Sequence, residues 1–304
     1  FAAVDVPEPP ARAASWLRET APDVRSNDLG DGRLFAIILD DATLPPDARI
    51  TAAARHAARR VIDGLGPEDL AAVIFVMDTR RSVEFTNDRR RLLKAVDGLS
   101  PSFAYADHVG GTERFLHFSS IRTLGRVAGH LSVVPLRRKA IVYISTGVPV
   151  DVAAAASVTL MRSGAPPLGQ TLDAALEVDA AKDLVEALNE VLENRPQETY
   201  GAALQDAFVR AQHGNVNIYS VDPGGLGGLA GFLQTRVRSG NVVSAPLMTP
   251  MTAFQTSRLH RDFLQTVAEN SGGRAILDTN DLDRGVAQIF AENSAYYLVG
   301  YRST

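Results

Sequence analysis

The feature that most constrains the fold is an alternation between short apolar runs and amphipathic segments. Apolar runs occur within 34–39, 70–78, 138–146 and 216–222, the first two nearly unbroken, and segments with helical periodicity separate them. Runs that are apolar at every position are typical of strands buried on both faces. The pattern predicts an α/β fold, with a doubly wound, mostly parallel central sheet flanked by helices on both faces.

The periodicity also predicts the other elements. A short alternating segment at 82–86 indicates an edge strand, and further strands are expected at 274–278 and 295–301. Asn87 is the predicted N-cap of one helix and Gly214 the predicted C-cap of another. Helices are predicted over 47–63, 87–99, 121–134, 171–194, 199–215, 257–273 and 281–294.

The domain organisation follows from composition. Residues 1–33, rich in Pro, Ala and Asp, are interpreted as an N-terminal arm or linker. Residues 34–304 are interpreted as one domain, with a helical insertion at about 150–198 and a loop insertion at about 223–253.

Charge and composition exclude several partner classes. The net charge is −4 with both signs interspersed, so no nucleic-acid footprint is visible. The basic clusters 89–91 and 137–139 are interpreted as a solvated helix face and the entrance to a strand. No apolar stretch reaches the ~18–20 residues of a membrane helix, so no membrane insertion is expected. Without cysteines, thiolate metal sites and disulfides are excluded.

Polar residues follow three predicted strands at their carboxyl ends: Asp40-Asp41, Ser145-Thr146 and Asp222. In parallel sheets this edge is where ligands bind. A hard cation such as Mg²⁺ or Ca²⁺ needs several converging oxygens, and after the two aspartates only Thr43 offers one. Capping of local amides by Asp40 is therefore favoured over a tight metal site. Any metal would be held by Asp40, Asp41 and Thr43.

Other chemistries have weaker signals. Gly225, Gly227 and Ala230 match G-x-G-x-x-A, but a lone match is weak and a mobile loop is the favoured interpretation. No G-x-S-x-G elbow, H-E-x-x-H pair or P-loop is present, and the six histidines are interpreted as surface or packing residues. A metal-dependent hydrolase using Asp40 and Asp41 remains an alternative.

Several stretches in order resemble the von Willebrand factor A-related domains of secreted bacterial proteins. They include "RLFAIILDDAT", "RKAIVYISTGVP", "NVNIYSVDPGGL" and "VAENSGGRAILDTNDLDRGVAQIFAENSAYYLVGY". The resemblance implies a doubly wound sheet and a secreted or periplasmic protein. It also implies a metal-ion-dependent adhesion site at the carboxyl edge of the strands, where Mg²⁺ binds partner proteins.

Carried over position by position, the adhesion site is degenerate. Asp40 matches the first aspartate, whereas Ala42 and Leu44 stand where two serines belong and Thr146 where the second aspartate belongs. Candidates for the loop threonine of the site are Thr112, Ser119 and Ser120.

The sequence therefore predicts a non-catalytic interaction or adhesion module without a tight metal. It would present the carboxyl edge of its sheet to an unidentified protein partner. A Mg²⁺-dependent adhesion domain is the alternative. The chain is expected to be a middle piece of a longer secreted protein. The candidate ligand-binding residues are Asp40, Asp41, Thr43, Ser145 and Thr146.

Overall fold

A six-stranded sheet forms the centre of the molecule. The computed structural model describes residues 32–101, 110–134, 137–150, 196–228 and 250–294. The strand order is β3-β2-β1-β4-β5-β6, and all neighbours are parallel except the antiparallel pair of β2 and β3. The strands are β1 Leu34–Leu39, β2 Leu70–Phe75, β3 Val83–Thr86, β4 Lys139–Ile144, β5 Val216–Val221 and β6 Ala275–Ile276.

Helices cover both faces of this sheet, which confirms the predicted doubly wound α/β class. One face packs on α3, α4 and α5, and we call it the α3 face; the other packs on α1, α2 and α6, and we call it the α1 face. The helices are α1 Ala48–Asp63, α2 Arg89–Asp97, α3 Gly110–Ser132, α4 Pro196–Gly214, α5 Pro250–Glu269 and α6 Leu282–Ser294. A 3₁₀ turn, Thr79–Arg81, joins β2 to β3.

Side chains of β1 and β4 alternate between the two faces because of the period of two in a strand. Ala36, Ile38 and Tyr143 enter the core of the α3 face, and Phe35 and Ile37 enter that of the α1 face. Burial on both faces explains why the apolar runs are continuous.

The chain order reverses between β1 and β4, since β2 and β3 lie on one side of this pair and β5 and β6 on the other. This is the topological switch point, where a doubly wound sheet leaves a crevice beyond the carboxyl ends of its strands. The turns after β1 and β4 therefore meet at the candidate site.

Some predicted boundaries were wrong. The helix predicted from 121 begins at Gly110, and α5 begins at Pro250, inside the predicted loop insertion. The N-cap of α2 is Asp88, whose carboxylate accepts hydrogen bonds from the Arg90 and Arg91 amides, so Asn87 is not the cap. After α4 the left-handed residue is Asn215 (φ 51°) and not Gly214.

Other predicted segments cannot be compared. The helix at 171–194, the strand at 295–301 and nearly all of the arm at 1–33 lie outside the described residues. Among the described helices, none has both the length and the apolar character needed to cross a bilayer.

Candidate functional site

The turns after β1 and β4 bring the five predicted site residues together. The ladder continues past both strands, because the Asp40 amide donates to the Ile144 carbonyl at 3.0 Å. Asp40 and Ser145 therefore lie side by side at the carboxyl edge. All five residues are buried, with at most 2% of each exposed, namely Asp40, Asp41, Thr43, Ser145 and Thr146.

The carboxylate of Asp40 is the centre of a buried hydrogen-bond network. Its Oδ2 atom accepts from the hydroxyls of Ser120 at 2.5 Å, Tyr143 at 2.6 Å and Ser145 at 2.8 Å. Its Oδ1 atom accepts from the Thr43 amide at 3.2 Å. These donors come from α3, β4 and the turn after each strand, so the carboxylate ties together the elements around the switch point.

Tyr143 is a strong, permanently protonated donor in this network. Burial raises the pKa of its phenol well above the ordinary value, and the negative charge of Asp40 raises it further. The Ser120 and Tyr143 hydroxyls also lie 2.5 Å apart. Each hydroxyl has one proton, so when one of them donates to the other, the second donates to Oδ2 of Asp40.

A second layer of hydrogen bonds fixes the donors of Asp40. Ser145 Oγ accepts from the Gly147 amide at 2.8 Å and lies 2.8 Å from Thr43 Oγ1. Thr146 Oγ1 donates to the Thr43 carbonyl at 2.9 Å. The two turns thus hold each other through side chains, and every hydroxyl of Thr43, Ser145 and Thr146 is in use.

The carboxylate of Asp41, in the turn that begins after β1, faces the end of β2 and not the network of Asp40. Its Oδ1 atom accepts from the amides of Val76 and Met77, and its Oδ2 atom from that of Asp78, all at 2.9 Å. Burial raises the pKa of this carboxyl; the amides lower it in part, and Asp40 raises it. Asp41 is therefore the cap of β2, holding the turn that leads to β3.

We expect Asp41→Ala to destabilise the fold by about 2–4 kcal/mol, because three amides at the end of β2 lose their acceptor. Asp88→Ala is the matched control, since Asp88 also accepts from two amides but in an exposed position. It should cost about 1 kcal/mol, as helix caps do. Urea unfolding of both variants measures the difference. Equal losses would contradict the special role of Asp41.

Of the three candidates for the loop threonine, Ser120 contacts Asp40. Ser119 instead donates to the Phe115 carbonyl within α3. The Thr112 side chain lies outside the described residues. Sequence reasoning missed Tyr143, which it treated as part of a buried strand. The period of two could have found it, because Tyr143 and Ser145 share the α3 face.

A pair of buried histidines borders the network. His260 of α5 donates from Nδ1 to the Gly147 carbonyl at 2.9 Å, with the Thr146 carbonyl at 3.2 Å. His117 of α3 stacks edge-on against it, with ring centroids 6.2 Å apart. Gly147 has φ +86°, and a Cβ there would lie 2.3 Å from the His260 carbonyl oxygen, so α5 approaches this turn as closely as glycine allows. These histidines are packing residues, as predicted, but they also fix the site.

Asp222, the third predicted strand end, belongs to a separate group. Its Oδ1 atom accepts from the Gly224 amide at 2.8 Å. Burial raises its pKa to about 6; the Gly224 amide lowers it, and the nearby Asp278 raises it. Gly225 and Gly227 both have positive φ, and Gly225 packs on Asn280. The glycines of this loop serve a turn in the described part, and Ala230 lies outside it.

The residues present do not fit the metal site that the resemblance implies. Both carboxylates are already filled by hydrogen bonds, and those of Asp40 and Asp41 face different elements. Where the family has two serines, Ala42 and Leu44 bury apolar side chains in the cores of opposite faces. Within the described ranges, no group of three His, Asp or Glu is arranged to hold an ion.

Comparison with known proteins leaves the family open. No family model matches the chain, and no curated protein does. A solved structure with some similarity is that of an aerotolerance-related membrane protein from Bacteroides fragilis NCTC 9343 with multiple mutations to serines. The two chains are 15% identical, the match covers 86% of this chain and 97% of that chain, and the TM-score is 0.38. A likeness at this level carries no argument about function.

Proposed function

We propose that the chain is a von Willebrand factor A-related interaction module that binds a protein partner without catalysis and without a tight metal. The carboxyl edge of its sheet would be the binding surface. The protein would be secreted or periplasmic. The observation that carries this proposal is the saturated carboxylate of Asp40. An adhesion site whose central aspartate accepts hydrogen bonds from protein hydroxyls on several elements has no need of a cation to hold its loops.

The burial of the network also supports a binding role. A general base or nucleophile must reach its substrate, yet Asp40 and Ser145 are fully buried. Neither is hydrogen-bonded to a histidine of the described residues. The buried network would therefore hold the turns of the carboxyl edge in place. The partner would contact exposed residues of these turns.

Three exposed apolar side chains lie at this edge and suit such a contact. Met77 follows β2 and is 37% exposed, and Leu226 follows β5 and is 68% exposed. Phe254, 62% exposed, precedes His260 in α5 by six residues, or about 9 Å. Since His260 is level with the turn after β4, Phe254 projects beyond the edge. β2 and β5 lie three strand spacings apart, about 14 Å, which fits one partner surface.

We expect no stabilisation by Mg²⁺, Mn²⁺ or Ca²⁺. A metal that binds the folded state adds RT ln(1 + [L]/Kd), so about 100 Kd of metal would add about 2.7 kcal/mol. Thermal unfolding of EDTA-treated protein and of Asp40→Asn measures this effect. A stabilisation seen in the wild type and lost in Asp40→Asn would favour the metal-dependent alternative.

The partner proposal is tested by photo-crosslinking in EDTA. A crosslinker placed at Leu226 should capture a protein from an extract of the producing cells, and unlabelled wild-type protein should compete for it. The competitor Leu226→Asp/Phe254→Asp should fail to compete. The control position is Val133, 77% exposed at the opposite end of the sheet. Equal capture from both positions, or competition by the double variant, would contradict the proposal.

A further inference from the structure

Three cations on the outer surface of α2 have no acidic partner. Arg90, Arg91 and Lys94 are exposed, and none of them forms an ion pair with a described residue. Positions 90 and 91 lie one helical turn from 94, so the three side chains share one surface. We call this surface, defined by these residues, the basic face.

The neighbouring helix shows that this arrangement is local. On α1, Arg59 pairs with Asp97, and Arg60 pairs with Asp283 at 2.8 Å. Asp97 at the end of α2 is thereby paired with α1, and Asp88 at its start caps the amides of Arg90 and Arg91. The basic face consequently keeps three cationic side chains that form no ion pair with a described residue.

An exposed aromatic ring lies beside the basic face. Phe85 of β3 is 39% exposed. β3 packs against α2, and Val83 of this strand contacts the core of the α1 face. Phe85 therefore lies on the edge strand that borders α2. The surface can contact apolar as well as acidic groups.

The chain itself contains a segment of the opposite chemistry. Residues 171–194 hold seven acidic residues and one lysine, so this segment carries −6 while the whole chain carries −4. It is also rich in aliphatic residues: Leu172, Leu176, Leu184, Leu188, Val191 and Leu192. Acidic and aliphatic side chains are what the basic face and Phe85 would pair with.

We propose that the basic face of α2, with Phe85, binds residues 171–194 of a second copy of the chain. Every copy carries one basic face and one acidic segment, so a two-fold dimer satisfies both at once. The proposal is independent of the partner-binding edge, because β3 and α2 lie at the far side of the sheet from β5.

Sedimentation equilibrium of the whole chain tests the dimer. We expect its dissociation constant to rise at least tenfold between about 50 mM and about 500 mM salt, since exposed charges are screened. Arg90→Glu/Arg91→Glu/Lys94→Glu should be monomeric. The control Arg49→Glu/Arg258→Glu/Arg284→Glu makes the same change of charge at other exposed positions and should dimerise like the wild type.

A charge exchange then identifies the segment. Glu186→Lys/Glu190→Lys/Glu193→Lys should be monomeric alone and should associate when mixed with the basic-face variant. Circular dichroism of each variant verifies that it is folded. A wild type that is monomeric at every concentration, or a basic-face variant that dimerises normally, would overturn the proposal. If the wild type is a monomer and the basic-face variant is less stable, the acidic segment binds the basic face of its own chain. That result would also overturn the proposal.

Discussion

Asp40→Ala should lose about 3 kcal/mol or more of unfolding free energy. The substitution removes the acceptor of three buried hydroxyls and of the Thr43 amide, and it leaves a small cavity where the carboxylate was. Asp40→Asn should lose less, because its amide keeps one acceptor oxygen and the volume. Urea unfolding with a constant m-value measures both.

Ser220→Ala provides a matched control for this network. Ser220 is fully buried on β5 in register with Tyr143, yet among the described residues its hydroxyl has no hydrogen-bond partner. Its removal should be neutral or stabilising, whereas Ser120→Ala should cost about 1–2 kcal/mol. In a double-mutant cycle, Ser120→Ala should cost less in the Asp40→Ala background. Loss of less than about 1 kcal/mol by Asp40→Ala would sink the network account.

The second large effect is a loss of stability in acid through the two buried histidines. Burial lowers the pKa of His117 to about 3 and the pKa of His260 to about 4, from 6.5 in the unfolded chain. The charge of His260 lowers the pKa of His117 further, whereas hydrogen bonds to the Gly147 and Thr146 carbonyls raise the pKa of His260 in part. Below pH 6.5 the two histidines bind protons in the unfolded chain but stay neutral in the folded protein. Stability is therefore full above about pH 6.5 and falls toward pH 4, by about 2 kcal/mol per histidine at pH 5.

Asp222 works against this trend. Its raised pKa of about 6 means that the folded protein binds its proton more tightly than the unfolded chain, which adds about 1 kcal/mol at pH 5 relative to neutral pH. The contribution of His260 is therefore measured as the difference in unfolding free energy between the wild type and His260→Asn. In this variant the side-chain amide keeps a donor for the Gly147 carbonyl. This difference should shrink from pH 7.5 to pH 5. His213→Asn, an exposed control, should follow the wild-type profile; an unchanged profile for His260→Asn would refute the assignment.

The sequence predicted the sheet because its apolar runs are long and continuous. It also placed Asp40 beside Ser145 correctly, since the carboxyl ends of adjacent parallel strands must meet. What it missed concerns directions of side chains. Asp40 and Asp41 were grouped as neighbours in sequence, but the turn after β1 sends them to different elements, and Asp41 in fact caps β2.

Ser120 and Tyr143 show a signal that was present but unused. Ser120 lies four residues from both Leu116 and Leu124, which are buried on the inner side of α3, so helical periodicity turns it toward the sheet. Ser119, one residue away, is four residues from Phe115 and Thr123, which are only partly buried. The match of Ser120 to Asp40, however, depends on how far α3 slides along β4, and that is decided by packing and not by any local pattern.

The edge strand β3 limits how two copies of this protein can associate. It has four residues, runs antiparallel, carries the exposed Glu84 and shifts register against β2 between Ala71 and Val73. A short, charged and irregular edge offers an incoming strand no regular row of amides and carbonyls, which is how natural sheets avoid edge-to-edge aggregation. This edge therefore disfavours pairing with a strand of another molecule. Association at this edge would rely on side chains, and salt would weaken it.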